Sequence, residues 1–390
     1  MRLKIAVLSR NFSTTGGGAE RYSVAVVEEL SARHEVHVFA QKVQHEAPGV
    51  HYHQLAFRLE RPRWINQWIF AIATWWATRK GFDIVHSHEN LWHGNVQTVH
   101  VLPVRYGLFH GKSGLALWLR YLKAATSLRL LSYLWLEKKR FTTSGHRRVV
   151  VTSDALREAM LEAYPAVAGA IEVIRPGVAM PVASASAQEK RDARAQLGLP
   201  AQGTCLLFVG NDFRKKGLPT LIKALALLPP AHFVAVVGHP KQRDAMTQLA
   251  QEAGVAQRLF FLGALQNMES AYLAADMLVH PTLQDTYAMV VLEAMAHGVP
   301  VVVSGLPYCG IAGELTHLAQ AWILADPHDP AALAQAIGAV MADTALAQGL
   351  VARGLEFAQA HSWATLVCGT KRCFSAWLTR DHGACKPFPS

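Results

Sequence analysis

Residues 205–237 read CLLFVGNDFRKKGLPTLIKALALLPPAHFVAVV, and their pattern indicates the class of fold. Two apolar runs, at 205–209 and 233–237, have the length and composition of buried strands. A glycine-bounded basic turn follows the first run, and a helical pattern begins at Leu218. A strand, a helix and a second strand in this order make a βαβ unit, which predicts a parallel sheet.

The same alternation extends in both directions from this unit. Apolar runs of strand length recur at 3–8, 36–40, 84–86, 96–101, 149–152, 171–174, 259–262, 277–280 and 299–303. Helical patterns lie between them, the first at 19–33. The pattern therefore predicts an α/β protein with two doubly wound, Rossmann-like domains.

The domain boundary is predicted where this alternation stops. Residues 176–203 are rich in Pro, Ala and polar residues, as linkers are. We expect an N-terminal domain at 1–176 and a C-terminal domain at 177–360. Residues 361–390 are expected to form a C-terminal helix, about 363–378, and a tail, with the N-terminal domain as its candidate docking partner.

Composition restricts the class of protein further. A chain of 390 residues that is 51% hydrophobic can bury two cores. Its five cysteines include no CxxC pair, which predicts a reducing compartment without a disulfide framework. The N-terminal apolar run IAVL is too short for a signal peptide, and no run reaches 18 apolar residues, so no spanning helix is expected.

Positive charge is concentrated in the first half of the chain. Residues 1–150 carry 21 Lys and Arg against 9 Asp and Glu, which predicts an anionic partner. Within them, residues 115–140 are helix-prone and basic and include Trp118 and Trp135. This pattern is typical of interfacial membrane binding. A core helix with a solvated basic face is the alternative.

Two glycine-rich turns in the first half resemble phosphate-binding loops. Gly17 and Gly18 belong to a GGG turn between a strand and a helix, where backbone amides can approach a phosphate or sugar. The turn is not GxGxxG, and no acid ends the next strand, so a dinucleotide site is not expected. The run GLFHGKS at 107–113 is one residue too short between its glycines for a P-loop and is interpreted as a chance match.

Four histidines, His86, His88, His93 and His100, follow predicted strands of the first domain. Their spacing matches no helical ligand pair and few acids accompany them, so we predict no metal site here. Loops after parallel strands carry active sites, which favours a catalytic or sugar-binding histidine among them.

The second half carries the stronger candidates. Arg214, Lys215 and Lys216 lie between a strand end and a helix start, where a diphosphate would bind. A solvated basic turn remains the alternative. Asp285 is expected in the loop before a helix that begins near Tyr287, with Glu293 about two turns along it. A buried Glu on so apolar a helix needs a hydrogen-bonding partner, either ligand hydroxyls or a nearby Arg or Lys.

Together these motifs resemble the family 4 retaining glycosyltransferases of GT-B fold, closest to the lipopolysaccharide core glucosyltransferase group. The matching segments are GGGAER at 16–21, DIVHSH at 83–88, QTVH at 97–100, VIRPGV at 173–178, FVGNDFRKKG at 208–217 and HPTLQDTYAMVVLEAMAHGVPVV at 280–302. The resemblance covers nearly the whole chain and implies two domains that face each other across a cleft.

The resemblance also implies residue roles. Lys216, aided by Arg214, would bind the donor diphosphate, and His100 would face the reacting sugar. Asp285 and Glu293 stand where the family has two glutamates that hold donor sugar and ribose. Ala288 replaces a glycine whose amide approaches the phosphate, followed by Met289 and Val290 at the helix start. We count Gly17 and Gly18 among the donor-binding residues, and His100 and Asp285 as catalytic.

The expected reaction is a retaining, metal-independent hexosyl transfer without a cofactor. A nucleoside-diphosphate sugar would be the donor, and a glycan or glycolipid of the cell envelope the acceptor. The expected place is the inner face of the cytoplasmic membrane, on an anionic surface. A sugar-nucleotide 2-epimerase of the same fold is the alternative enzyme. A nucleic-acid binder is a third hypothesis, but the chain carries no recognised nucleic-acid module.

Overall fold

The computed structural model describes residues 2–14, 17–142, 147–181 and 186–363. They form two compact units, which divide between Arg175 and Pro176. The helix predicted near 363–378 and the tail to 390 lie, from residue 364 onward, outside these ranges. Gly16 of the GGG turn also lies outside them.

The first unit is a parallel sheet with helices between its strands. Its described elements, in chain order, are β1 (Lys4–Leu8), β2 (Asn11–Phe12), α1 (Gly18–Ser31), β3 (Glu35–Ala40), β4 (Lys42–Val43), β5 (Val50–Gln54), α2 (Arg63–Thr78), β6 (Ile84–Ser87), β7 (Val96–Val99), α3 (Val104–Phe109), α4 (Gly114–Ala125), α5 (Leu128–Arg140), β8 (Arg148–Val151), α6 (Asp154–Ala163) and β9 (Ile171–Val173).

The second unit repeats this architecture. Its described elements are α7 (Ala187–Gln196), β10 (Thr204–Val209), α8 (Leu218–Leu227), β11 (His232–Val237), α9 (Arg243–Glu252), β12 (Leu259–Gly263), α10 (Glu269–Ala274), β13 (Met277–His280), α11 (Met289–Ala296), β14 (Val301–Ser304), β15 (Trp322–Leu324), α12 (Pro330–Ala342) and α13 (Thr344–Ala360).

Strand order locates the ligand-binding edge of each sheet. The first sheet runs β5-β3-β1-β6-β7-β8-β9 and the second β12-β11-β10-β13-β14-β15, with every described ladder parallel. The order reverses between β1 and β6, and again between β10 and β13. Ligands of doubly wound sheets bind outside the carboxyl ends of the strands at such reversals. The prediction of two parallel-sheet α/β domains is confirmed.

Burial on both faces explains why the central strands are continuously apolar. In β10, Cys205 and Leu207 pack into one core cluster and Leu206 and Phe208 into the other, all with no exposure. Helices therefore cover both sides of the second sheet, as a parallel sheet requires.

Two predicted strands differ from the observed ones by two residues at one end. The strand predicted at 96–101 ends at Val99, because the chain turns into α3 at Pro103. The strand predicted at 299–303 begins at Val301, because Pro300 has no N–H to donate to a ladder. His100 therefore lies just beyond the end of its strand.

No single helix in the described ranges is long and apolar enough to cross a membrane. Helices α12 and α13 reach the required length and composition only when taken together, across a bend of 95°.

Candidate functional site

The turn between β10 and α8 depends on Gly217. This residue has φ +81°, and a Cβ on it would lie 1.8 Å from the carbonyl oxygen of Pro281. The loop that follows β13 can approach this closely only because glycine has no side chain. The Lys215 carbonyl accepts the N–H of Leu283 at 2.8 Å and joins the two loops at the carboxyl edge of the sheet.

Lys216 and Asp285 form an ion pair where these two loops meet. Lys216 Nζ donates to Asp285 Oδ2. His280 Nε2 lies 3.3 Å from the same oxygen. The Lys216 and Asp285 side chains are 22% and 15% exposed, so the pair is largely shielded from water. The sequence places these groups 69 residues apart, and the fold brings them together.

Asp285 is ionised in this environment. Burial alone would raise its pKa, but the hydrogen bond from His280 and the charge of Lys216 hold the pKa well below its usual value. Burial lowers the pKa of His280, so its imidazole is neutral and Nε2–H is the donor. Asp285 Oδ1 is used as well, since it accepts the N–H of Ala288 at 3.0 Å.

Helix α11 begins at Met289, two residues later than the predicted start near Tyr287. The reason is Ala288, which has φ 67° and ψ 66° in the left-handed region and caps the helix. This conformation favours glycine over alanine. The N–H groups of Met289 and Val290 lie in the first turn, where no intrahelical acceptor exists. They are available to an anion at the positive end of the helix dipole.

Glu293 is buried in the body of α11, at 9% exposure. Its Oε2 accepts the hydroxyl of Tyr272 on α10 at 2.6 Å. The imidazole of His297 stacks on the Tyr272 ring at 4.9 Å. Tyr272 is not among the residues predicted from the sequence. It lies 21 residues before Glu293 on another helix, and nothing in the sequence indicates that the two side chains meet.

Arg214 occupies a more open position in the same basic turn. Its side chain is exposed, and its backbone N–H donates to Gln242 Oε1 at 3.1 Å. No described carboxylate pairs with its guanidinium. Arg214 and the first turn of α11 thus add positive charge beside the Lys216–Asp285 pair, at one edge of the second sheet. This arrangement suits a phosphate group.

Three of the four candidate histidines come together in the first unit. His100 Nε2 lies 3.0 Å from His88 Nδ1, and the two rings stack at 5.3 Å. His86 lies against His88 at 4.4 Å. The backbone N–H of His88 donates to Leu8, which places the group at the reversal between β1 and β6. His93 lies apart, with Nε2 3.2 Å from the Thr74 hydroxyl of α2.

These three imidazoles are held neutral. Burial, followed by the charge of Arg140, lowers the pKa of His86 and His100 to about 3. Burial also holds the His88 pKa well below its usual value. Arg140 is fixed by Gln97 Oε1 at 2.9 Å and by the Thr98 carbonyl. Buried His88 Nε2 has no hydrogen-bond partner among the described residues.

The two described glycines of the GGG turn start helix α1. Gly18 is the first residue of the helix, and Gly17 is its extended N-cap without a side-chain bond. A Cβ on Gly17 would meet Glu20 Oε2 at 3.1 Å. Both therefore lie at a helix N-terminus, as the sequence predicted, in the first unit.

The basic segment at 115–140 contains two helices rather than one. The helical conformation is interrupted between α4 and α5, where Ser127 caps α5 by accepting the N–H of Leu130. Glu137 is buried, accepts the N–H groups of Val104 and Arg105, and so anchors α5 to α3. The large apolar side chains that α4 and α5 leave exposed are Leu115, Trp118, Leu119, Tyr121, Leu122, Leu128, Leu131 and Trp135.

Two family models match the chain. Glycosyltransferase Family 4 matches residues 16–180, and Glycosyl transferases group 1 matches residues 189–356. The chain therefore carries two glycosyltransferase domains on a GT-B fold, and its predicted likeness to family 4 is confirmed.

Curated relatives include the D-inositol 3-phosphate glycosyltransferase of Mycolicibacterium gilvum. It is 31% identical over 252 residues, which make up 61% of this chain and 53% of the relative. The enzyme of the same name from Nocardia farcinica is 28% identical, over 63% of this chain and 56% of its own length. The chain thus spans about half the length of the curated relatives it matches.

Solved structures share the fold. WaaG, a glycosyltransferase involved in lipopolysaccharide biosynthesis, has a TM-score of 0.80 at 20% identity and covers 97% of this chain and 100% of its own. Sucrose-phosphate synthase from Thermosynechococcus elongatus has a TM-score of 0.77 at 24% identity, with the same coverages. Anabaena HepE in complex with UDP-glucose has a TM-score of 0.74 at 18% identity, covering 96% and 100%. At these identities the likeness is one of fold.

Proposed function

We propose that the protein is a retaining glycosyltransferase that moves a hexose from a nucleoside-diphosphate sugar to a lipid-linked or polysaccharide acceptor. The observation that best supports this proposal is the Lys216–Asp285 pair beside the N-terminus of α11, at the strand reversal of the second sheet. A cation and free helix amides at such an edge suit a diphosphate.

The proposed reaction breaks the bond between the anomeric carbon and the β-phosphate oxygen of the donor. The acceptor oxygen bonds to the same face of that carbon, and its proton passes to the departing phosphate. Lys216, Arg214 and the first turn of α11 stabilise the charge on the leaving diphosphate. We propose that stabilisation of the leaving diphosphate by these groups requires neither a metal ion nor a cofactor.

Glu293 and Asp285 are proposed to position the donor sugar and ribose. Glu293 is held by Tyr272, and a carboxylate that is already oriented can accept ligand hydroxyls without reorganisation. We assign His100 to the sugar, as the family resemblance implies. Its lowered pKa keeps it neutral, and a charged imidazole would oppose an oxocarbenium-like centre.

The acceptor has two candidate classes. A cell-envelope glycan of lipopolysaccharide core type follows from the resemblance, and WaaG, which shares the fold, is involved in lipopolysaccharide biosynthesis. A phosphorylated cyclitol is the second candidate, because the curated relatives are D-inositol 3-phosphate glycosyltransferases. The 2-epimerase alternative predicts that no acceptor is consumed.

We further propose that the protein lies peripherally on the inner face of the cytoplasmic membrane, through α4 and α5. Exposed Trp118 and Leu122 accompany Arg120 and Lys123 on α4. Apolar side chains beside cations suit an anionic lipid surface. Nucleic acid is not proposed as a partner.

The proposal is tested by incubating the protein with a panel of nucleotide sugars, with and without each acceptor class, and measuring the release of nucleoside diphosphate. Release of nucleoside diphosphate that accelerates with one acceptor supports transfer and identifies that acceptor. Interconversion of two nucleotide sugars without release would instead indicate the epimerase. The same assay with a chelator tests metal independence, since turnover lost with chelator and restored by manganese or magnesium would refute it.

A further inference from the structure

A cluster of imidazoles and a carboxylate lies on one face of the first sheet, away from the histidines discussed above. β5 is the edge strand of that sheet and pairs in parallel with β3, so that His37 is opposite His51 and Phe39 is opposite His53. Side chains two apart on a strand point to the same face. The sequences EVHVFA and VHYHQ thereby bring Glu35, His37, His51 and His53 together.

The candidate donor atoms of this cluster lie close together. His37 Nε2 lies 2.8 Å from Glu35 Oε1. One ligand atom from each of Glu35, His37 and His51 lies within 4.8 Å of the others. Donors bound to zinc at about 2.0–2.1 Å lie roughly 3–3.5 Å apart. Because the His51 ring stacks on His37 with 4.6 Å between ring centroids, binding requires the exposed His51 ring and the part-exposed Glu35 carboxylate to rotate about their side-chain bonds.

The His37 ring is held with its Nε2 toward Glu35. Its side chain is only 11% exposed, and its Nδ1 lies 2.8 Å from His53 Nε2. His53 in turn stacks on the Phe39 ring at 4.4 Å. A hydrogen bond on one ring nitrogen fixes the direction of the other, which is how outer partners orient histidine ligands of metals. Because His51 and His53 face solvent, an ion has a route into the cluster.

We propose that Glu35, His37 and His51 bind a divalent transition-metal ion of the zinc type, with His53 as the positioning residue of His37. Two imidazoles and one carboxylate, with water in the fourth position, form a familiar zinc ligand set. The ligands come from the first half of each strand, whereas His88 and His100 follow the ends of β6 and β7. The ion would therefore hold the edge strand β5 to β3 and take no part in glycosyl transfer.

Lys4 is the one described cation in contact with this group. Its Nζ lies 3.1 Å from Glu35 Oε1, and both side chains are about 40% exposed (42% and 37%). Exposed pairs of this kind are weak and easily displaced. The ammonium would nevertheless repel a bound cation. Lys4→Met should therefore bind the ion more tightly than the wild type, whereas the ligand variants should bind it more weakly.

The test is calorimetric titration of tag-free protein with Zn²⁺, because a histidine tag would bind the ion itself. We expect the His37→Gln, His51→Gln double variant to lose one site or to bind at least about tenfold more weakly, since even outer-partner changes cost 10- to 100-fold. His45→Gln is the matched control, because His45 contacts only one described carboxylate, Glu28, at 2.7 Å. It should bind as the wild type does.

Thermal unfolding gives an independent readout. Zn²⁺ should raise the Tm of the wild type and of His45→Gln, and not that of the double variant. If the double variant fails to fold, His51→Gln alone is used, since that side chain is exposed. Equal stoichiometry, affinity and Tm rise in wild type and ligand variants would overturn the proposal, as would weaker binding by Lys4→Met.

Discussion

Replacing Lys216 with alanine should lower turnover by about 100- to 1,000-fold. The Lys216–Asp285 pair is only 15–22% exposed, so its charge is screened far less than that of a surface pair. Loss of one preorganised group that stabilises a leaving charge costs about 2.7–4 kcal/mol, and each 1.4 kcal/mol is roughly tenfold. The affinity for free nucleoside diphosphate should fall as well.

Lys215→Ala is the control for this experiment. Lys215 is exposed, and the contact that joins the two loops is made by its carbonyl, which the substitution keeps. Turnover should stay close to that of the wild type, because no described contact joins the exposed Lys215 ammonium to the Lys216–Asp285 pair. A turnover for Lys216→Ala equal to that of Lys215→Ala would refute the assignment of Lys216.

Stability must be separated from chemistry in the Lys216 variant. Without Lys216, the Asp285 carboxylate stays buried with His280 as its remaining described side-chain donor, so the free energy of unfolding should fall. Adding Asp285→Asn removes the unpaired charge and should recover stability without recovering turnover. Circular dichroism melts of the single and double variants measure this difference.

Four further predictions concern the remaining residues. Glu293→Gln should lower turnover about a hundredfold in a folded protein, as measured by diphosphate release. His100→Ala should lower turnover by a similar factor and change the Kd for free nucleoside diphosphate by less than about threefold. Because the pKa of His100 is lowered to about 3, the turnover of the wild type should show no protonation step from this group between about pH 5 and 8. Ala288→Gly should raise Tm, since a left-handed alanine costs about 1–2 kcal/mol, more than the added freedom of an unfolded glycine. The protein should sediment with anionic vesicles at low salt and be released at high salt, and Trp118→Ser should weaken this binding whereas Leu227→Ser should not.

The controls for the Ala288 and His100 predictions use residues of the same type. Ala294→Gly, in the buried interior of α11, should lower Tm, and a rise would contradict the argument for Ala288. His93→Ala removes a buried histidine outside the His88–His100 pair, and turnover lost there but kept in His100→Ala would move the catalytic role away from His100. Equal binding to neutral vesicles would contradict the electrostatic part of the membrane proposal.

The fold was predictable because parallel strands buried on both faces are continuously apolar, and 205–209 and 277–279 show this directly. The positions of Lys216 and Asp285 followed from the same pattern, since both lie just after strands that flank the reversal. Helix limits were less predictable: the start of α11 depends on the left-handed Ala288, and the break before α5 depends on a cap by Ser127.

Contacts between distant segments could not be predicted from one sequence. Tyr272 supports Glu293 from a neighbouring helix, and the spacing of the two residues does not reveal it. The group of Glu35, His37 and His51 depends on the register of β5 against β3, which the H-x-H pattern at 51–53 does not determine.

Glycosyl transfer by this protein is tested by following nucleoside diphosphate release from a panel of nucleotide sugars. We expect that one donor is hydrolysed slowly, that an acceptor accelerates its consumption, and that the product keeps the anomeric configuration of the donor. Lys216→Ala should slow the release by about 100- to 1,000-fold, and Lys215→Ala should preserve it. Failure of every nucleotide sugar to bind or react, or equal release by the two variants, would contradict the account.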